Sequence, residues 1–596
     1  MNLRRLGITL LIVLLLVLAA CSGASQPPEE AGEAQPTAMQ ATAAPPEPTA
    51  EPEPTPTAEP TVPAASEEPV AVSPISLPPE GTGEYPWWND TVWYEVFVRS
   101  FYDSDGDGVG DIQGLIQKLD YLNDGDPTTR DDLGVTGLWL MPIMESPSYH
   151  GYDVVDYYKV DEEYGTEEDF QQLMEEAHAR GMRVIVDMVL NHTSSEHPWF
   201  EAAREGDPEY EDWYVFAEGE QPFQTAPWGG GNVWYPAQPG EERYYYGVFW
   251  SGMPDLNFRS EEVTAEMQAV SRFWLEDMGA DGFRLDAIRM LIEEGNVTEN
   301  APETHEWLEG FYDFYKGIDE DIVMVGEVWT SPRAVVPYIG DEIDVAFEFN
   351  VAESILKAAV SKRAAPIQQA YQQAVDLFPA NQYAPFITNH DQNRAFSYLQ
   401  KKMGAMRVAA GILLTGPGTP FLYYGEEVAM TGIKPDEDIR KPMPWNGEEN
   451  GGFTEAARPW RDLPEGYEEN NVAAMEDDPD SLLNLYRRLI HLRNDHEALR
   501  VGDYLPVEAS HRSVYAFVRQ TEGETVLVIH NLSDEPVGDY TLTLEEGAQI
   551  AEGTPVEILS GEEMEAPEMS DTGGFTEYVP MEELAPQTSY VIQLRP

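Results

Sequence analysis

From Tyr85 onward the chain alternates between two hydrophobic textures. Short runs of apolar and β-branched residues are separated by longer stretches whose apolar positions recur every three or four residues. Eight short runs stand out: "VWYEVFVRSF" from Val92, "VTGLWLMPI" from Val135, "VIVDMVLNH" from Val184, "GFRLDA" from Gly282, "IVMVGEVW" from Ile322, "DVAFEFN" from Asp344, "PFITNHD" from Pro385 and "PFLYYGEE" from Pro420. Between them lie helical patterns such as "EEDFQQLMEEAHARG", in which Gly181 suits a helix C-terminus. Strand–helix alternation repeated eight times predicts an α/β fold, a parallel (β/α)8 TIM barrel over 85–192 and 253–497.

Two stretches break the rhythm. Residues 193–252, after the third run, are too long for an ordinary βα loop. They are crowded with rings ("HPWF", "DWYVF", "APWGGGNVWYP", "RYYYGVFW"), and this predicts an inserted B domain roofing one side of the barrel mouth. Most of those rings are expected in its own core and a minority as stacking platforms for a ligand. After the barrel's last helix, "LLNLYRRLIHLR", residues 498–596 alternate polar and apolar between turn residues, as a C-terminal antiparallel β-sandwich would.

The N-terminal residues follow another pattern. Arg4 and Arg5 precede an apolar run and then small residues up to Cys21, the one cysteine. This reads as an export signal over 1–20, with an uncleaved membrane anchor as the alternative. Leu18-Ala-Ala-Cys21 resembles a bacterial lipobox, which implies lipidation at Cys21 and a body held on the outer side of a cell membrane. Residues 21–84 are Pro-, Glu-, Ala- and Thr-rich without apolar periodicity, and are expected to form a disordered tether. Lys and Arg total 35 against 108 Asp and Glu. That balance excludes nucleic acid as a partner and leaves the lipid as the only membrane attachment. The sequence does not fix an oligomeric state.

Polar residues gather at the ends of the predicted strands: Asn191 and His192, Asp286, Glu327, His390 and Asp391. In a barrel of this type that face carries the active site. Within "GFRLDA", alternation puts Arg284 and Asp286 on one face and Phe283 and Leu285 on the other. A lone buried pair of this kind would be structural. Four strand ends converging with acids and histidines imply a site.

Four blocks then carry a resemblance, in order: Asp187-Met-Val-Leu-Asn-His192, Gly282-Phe-Arg-Leu-Asp286, Gly326-Glu-Val328 and Thr388-Asn-His-Asp391. From about residue 85 to its end the chain resembles the α-amylase family, glycoside hydrolase family 13. The resemblance implies Asp286 as nucleophile, Glu327 as acid/base and Asp391 as the acid that grips and distorts the sugar. It also implies His192 and His390 as hydroxyl ligands and Tyr152 as the platform under the ring, with His150 nearby. Retaining hydrolysis needs two such carboxylates on one glycosidic bond. Arg284 is expected to lower the pKa of Asp286, and the apolar neighbours Val325, Val328 and Trp329 to raise that of Glu327.

Asp103-Ser-Asp-Gly-Asp-Gly-Val-Gly-Asp111 places acids at alternate positions, suited to a hard cation. It is not an EF-hand, because Gly114 stands where the bidentate glutamate is required. It resembles the calcium loop of the oligo-1,6-glucosidase branch, which implies Ca2+ on Asp103, Asp105, Asp107, the Val109 carbonyl and Asp111. No histidine follows Asp286 closely, so a second calcium site using Asn191 is not expected.

For substrate, Met253-Pro-Asp-Leu-Asn257 resembles a block of the group intermediate between oligo-1,6-glucosidases and neopullulanases, many of them endo-acting α-amylases. Asp153 with Arg440 matches instead a pair by which exo-acting relatives hold a terminal glucose. The expectation is a lipid-anchored endo-α-amylase acting on starch and maltodextrin. An exo-acting α-glucosidase or oligo-1,6-glucosidase and a non-catalytic glucan-binding lipoprotein remain as alternatives.

Overall fold

The computed structural model describes residues 74–594 except 220, 222–224 and 551–553. Cys21 and the tether up to residue 73 lie outside the described residues. Residues 74–84, expected in the tether, already contact the body. The Ile75 N–H donates to the Asn494 carbonyl at 3.0 Å, and Thr82 Oγ1 donates to Asp90 at 2.9 Å. Their apolar residues are sparse but have a place to go: Leu77 lies against Gly181.

The barrel strands are β1 (Trp93–Val96), β2 (Gly137–Leu140), β3 (Arg183–Met188), β4 (Gly282–Leu285), β5 (Val323–Gly326), β6 (Val345–Phe347), β7 (Tyr383–Ala384) and β8 (Phe421–Tyr423). Each pairs in parallel with the next from β1 to β7, and β8 pairs with β1. Between β7 and β8 the ring closes through single hydrogen bonds, from the Thr419 and Phe421 N–H groups to the Tyr383 and Pro385 carbonyls (3.0 and 2.9 Å). The seventh strand ends where its predicted run begins, because Pro385 has no N–H to give a ladder.

Side chains alternate as the pleat requires. Tyr94, Leu138, Val184, Phe283, Leu285 and Met324 pack outward into the large core under the helices. Trp93, Trp139, Ile185, Val323, Val345 and Phe347 fill the barrel interior. Gly282 starts β4 because a Cβ there would fall 1.9 Å from the Val323 carbonyl oxygen. The helix Glu167–Ala179 starts at a Thr166–Asp169 capping box and stops just before Gly181, whose φ is +78°.

The segment after β3 holds a helix, Pro198–Glu205, and a three-stranded antiparallel sheet of Phe216–Glu218, Arg243–Tyr246 and Trp234–Pro236. Trp213, Trp234 and Tyr246 are buried, whereas Trp228 and Trp250 are exposed. The C-terminal residues form an eight-stranded antiparallel sheet around a separate core that includes Val518, Leu527, Leu542 and Ile592. Its central strands Asp503–Ala509, Val514–Gln520 and Thr525–Asn531 are consecutive hairpin partners. No helix among the described residues is long and apolar enough to cross a membrane.

Candidate active site

Arg284 projects from β4 into the C-terminal mouth of the barrel and organises it. Its guanidinium is 1% exposed and bonds three carboxylates at once. Nη1 donates to Asp187 at 2.8 and 3.0 Å and to Asp286 at 2.8 Å, while Nη2 donates to Glu327 at 2.7 Å. Two acids from adjacent strands, Asp286 after β4 and Glu327 after β5, therefore share one fork. Both carboxylates are thereby held side by side on one guanidinium, as two acids serving a common glycosidic bond must be. Ala287, left-handed at φ +49°, turns its N–H onto Glu327 at 3.2 Å.

A second chain of bonds runs from Asp187. It accepts from the Trp139 indole (3.3 Å) and from the Tyr152 hydroxyl (3.0 Å). The Tyr152 hydroxyl oxygen is 2.8 Å from His390 Nε2, and the two rings stack at 5.6 Å. His390 Nδ1 in turn lies 2.5 Å from Glu95, which projects from β1. Asp391 bonds Arg440 at 3.0 Å and faces His390 at 3.5 Å. His192 donates from Nε2 to the Tyr152 carbonyl at 3.1 Å. Gly151, at φ +79° and pressed on Pro142, makes the turn that delivers Tyr152.

Three carboxylates around one arginine leave an excess of buried negative charge, and the pKa values follow. Asp286 is pushed up to about 6: burial is the largest cause, Asp187 and Asp391 add to it, and Arg284 opposes. The expected depression of its pKa is thus reversed, because burial and two neighbouring acids outweigh the single guanidinium. Glu327 is also raised, by burial first and then by Asp286 and Asp391, against Arg284. Asp391 is brought down to about 2, because His390, Arg440 and Arg284 together overcome its burial. His192 is lowered to about 3 by burial, so it is a neutral donor. His390 is raised, since Asp391 and Glu95 outweigh its burial.

Of the predicted site residues, Asp286, Glu327, Asp391, Arg284, His192, His390 and Tyr152 come together here. Arg440 joins them through Asp391, but it does not pair with Asp153. Asp153 instead accepts from the hydroxyls of Ser146 (2.8 Å) and Ser148, and lies 3.7 Å from His150. The His150 ring accepts the Tyr152 N–H at 3.1 Å, so it braces the turn beneath the platform. The ring beside Arg440 is Tyr149, 6.0 Å from the guanidinium and stacked on Trp460. Sequence reasoning missed Asp187 and Glu95. Both carried a signal, as isolated acids inside apolar strands at inward-facing positions.

In the acidic loop, oxygens of Asp103, Asp105 and Asp111 converge within 4.8 Å of one another. Among the described residues, no lysine or arginine pairs with any of the three. Such an all-oxygen set fits a hard divalent cation. Asp107 is not part of this group: its carboxylate takes the Val109 N–H at 2.7 Å. Asn191 is buried and donates to Asp255 at 3.1 Å.

A parallel barrel with paired acids on one guanidinium at its C-terminal face defines a glycoside-hydrolase type of protein. Comparison with known proteins makes this specific. Residues 95–502 match the alpha amylase catalytic domain and residues 505–570 the maltogenic amylase C-terminal domain. The chain therefore belongs to the α-amylase family, glycoside hydrolase family 13. It is 38% identical over 456 residues to Alpha-amylase 3 of Dictyoglomus thermophilum, covering 75% of this chain and 86% of that protein. It is 36% identical over 529 residues to a trehalose synthase/amylase of Mycobacterium tuberculosis, covering 78% and 84%. The crystal structure of an alpha-amylase from H. orenii superposes with a TM-score of 0.72 at 38% identity, over 85% of this chain and 99% of that one.

Proposed function

We propose that this family member is a retaining, endo-acting α-amylase that cleaves α-1,4 bonds of starch and maltodextrin. Asp286 attacks the anomeric carbon while Glu327 gives its proton to the departing glycosidic oxygen. Glu327, now a carboxylate, then takes a proton from the water that releases the sugar from Asp286. The raised pKa of Glu327 suits the acid step, and Asp286, at about 6, is ionised at neutral pH. Asp391, ionised throughout, holds hydroxyls of the bound ring together with His192 and His390, over Tyr152.

The observation that carries the endo reading is the fate of Asp153. In an exo-acting site it would join Arg440 to hold a terminal glucose. Here two serine hydroxyls hold it, and Arg440 bonds Asp391. The test is maltoheptaose blocked at its reducing end and capped at its non-reducing end. Cleavage is expected; release of glucose from uncapped ends alone, with the blocked chain intact, refutes the reading. A glucan binder without catalysis would hold the blocked chain and not cut it.

Asp103, Asp105 and Asp111 would hold Ca2+, which would supply the charge that lets their carboxylates share one loop. We further propose export and lipidation at Cys21, which would place the enzyme on the outer side of a bacterial membrane, where polymer is met first.

A further inference from the structure

Glu95 is buried inside β1, and among the described residues its carboxylate has one side-chain partner, Nδ1 of His390 at 2.5 Å. A buried carboxylate without a positive partner is costly, so where the hydrogens lie on this pair matters. They can be counted from the other ring nitrogen. Asp187 is surrounded by donors: Nη1 of Arg284, the Trp139 indole and the Tyr152 hydroxyl. A hydroxyl has one hydrogen to give, and that of Tyr152 goes to Asp187. The Tyr152 oxygen must therefore accept from His390 Nε2, which lies 2.8 Å away and so carries a hydrogen. A second hydrogen lies between Nδ1 and Glu95, and the surroundings decide its owner. Asp391 is 3.5 Å from Nε2, and Asp187 and Asp286 also face the ring. Against them stand Arg440, whose Nε donates to the His390 carbonyl at 3.0 Å, and Arg284, 3.4 Å from the Tyr152 hydroxyl. With Glu95, four acids face two guanidiniums, and the surplus negative charge places the hydrogen on the ring.

We infer that Glu95 is a positioning residue for hydrolysis: it keeps His390 an imidazolium, a fixed cation with one N–H held by Glu95 and the other turned to Tyr152 and Asp391. Trp139 meets the ring edge-on (5.6 Å, 77°) and Tyr152 stacks on it, so the ring is held in place. Two consequences follow. His390 is the foremost of the cations that keep Asp391 ionised. A hydrogen bond from a charged ring to a sugar hydroxyl is also roughly twice as strong as one from a neutral ring. Glu95 acts only through His390. The inference rests on the retaining reaction proposed above and is independent of whether the cut is internal.

Glu95→Gln keeps the shape and an acceptor for Nδ1 but removes the charge. Dividing kcat/KM for maltoheptaose in E95Q by that of wild type at each pH cancels the ionisation of Glu327 and leaves that of His390. The loss should be no more than about threefold near pH ~5. It should grow about tenfold further by pH ~8, the worth of a hydrogen bond to a charged group, through one ionisation near the ordinary imidazole value of ~6.5. Glu95→Asp keeps the charge and should give a ratio that does not vary with pH. In protein labelled with 15N-histidine, the signals missing from His390→Asn identify His390 among the ten histidines. Both of its ring nitrogens should stay protonated up to about pH 8 in wild type, and one should lose its proton in E95Q. An E95Q ratio that is flat with pH makes Glu95 merely structural and overturns the proposal. So does a wild-type ring with a single hydrogen at about pH 7, a measurement that stands even if E95Q fails to fold. If wild type leaves maltoheptaose uncut, the proposed reaction is refuted, whereas the ring signals still decide the proton count.

Discussion

Replacing Asp286 with asparagine tests the electrostatics of the site and its chemistry together. Asp286 is pushed up to about 6 in the fold, and its side chain is only 10% exposed, so solvent screens it little. An unfolded aspartate titrates near ~3.9, so the difference of about two units corresponds to ~3 kcal/mol. A raised carboxyl pKa means that the folded state prefers the proton. Its favourable contribution is complete below about pH 4 and disappears as pH rises through 6. Asparagine mimics the protonated form at every pH. D286N should therefore match wild type near pH 4 and exceed it by ~3 kcal/mol at pH 8. The assay is the urea-unfolding midpoint of both proteins at half-unit steps between those values, converted with a common m-value. Hydrolysis of maltoheptaose by the variant should fall to background. A stability difference that stays flat across the range would refute the account of the buried charge. Appreciable turnover by D286N would refute its role as nucleophile.

Two further outcomes follow from the same geometry. Glu327→Gln should lower kcat/KM on maltooligosaccharides, which reports the step that expels the leaving group, by about 10²–10⁴, the usual worth of a general acid, and much less on α-glucosyl fluoride, whose leaving group needs no proton; equal losses of kcat/KM on both substrates would remove Glu327 from the acid role. Calcium at about a hundred times its dissociation constant should stabilise the protein by ~2.7 kcal/mol, read as a rise in the thermal midpoint. Asp105→Asn should reduce that rise and Asp107→Asn should not, because only Asp105 lies in the convergent group.

The barrel was legible because its strands are buried on both faces and therefore read as short apolar runs bounded by polar ends. The site was legible for the same reason: an acid or histidine at the end of such a run has no packing role to explain it. Two features of the predicted site residues were hidden. One was the pairing of Arg440, which bonds Asp391 and not Asp153. The Ser146 and Ser148 hydroxyls bond Asp153, and sequence spacing does not carry that pairing. The other was the sign of the Asp286 shift. A sequence shows that Arg284 is adjacent, but not that the same guanidinium already serves Asp187 and Glu327. Tether composition gave no warning that Ile75 and Leu77 would find places on the body, because two apolar residues make no period.

The shared arginine explains why the site tolerates so much buried acid. One guanidinium cannot neutralise Asp187, Asp286 and Glu327 together, and the raised pKa values of Asp286 and Glu327 express the surplus. In the resting protein that surplus is a cost, of the kind commonly concentrated where function demands it. In the transition state, positive charge develops on the sugar ring, and a fixed excess of carboxylate around it becomes stabilising. Asp391 lies outside the arginine fork, is kept low by His390 and Arg440, and stays ionised whatever proton the other two exchange. Division of labour among the acids thus follows from how cations are distributed over them. Moving Arg440 or His390 away from Asp391 would alter the chemistry although neither gives up a bond to carbon.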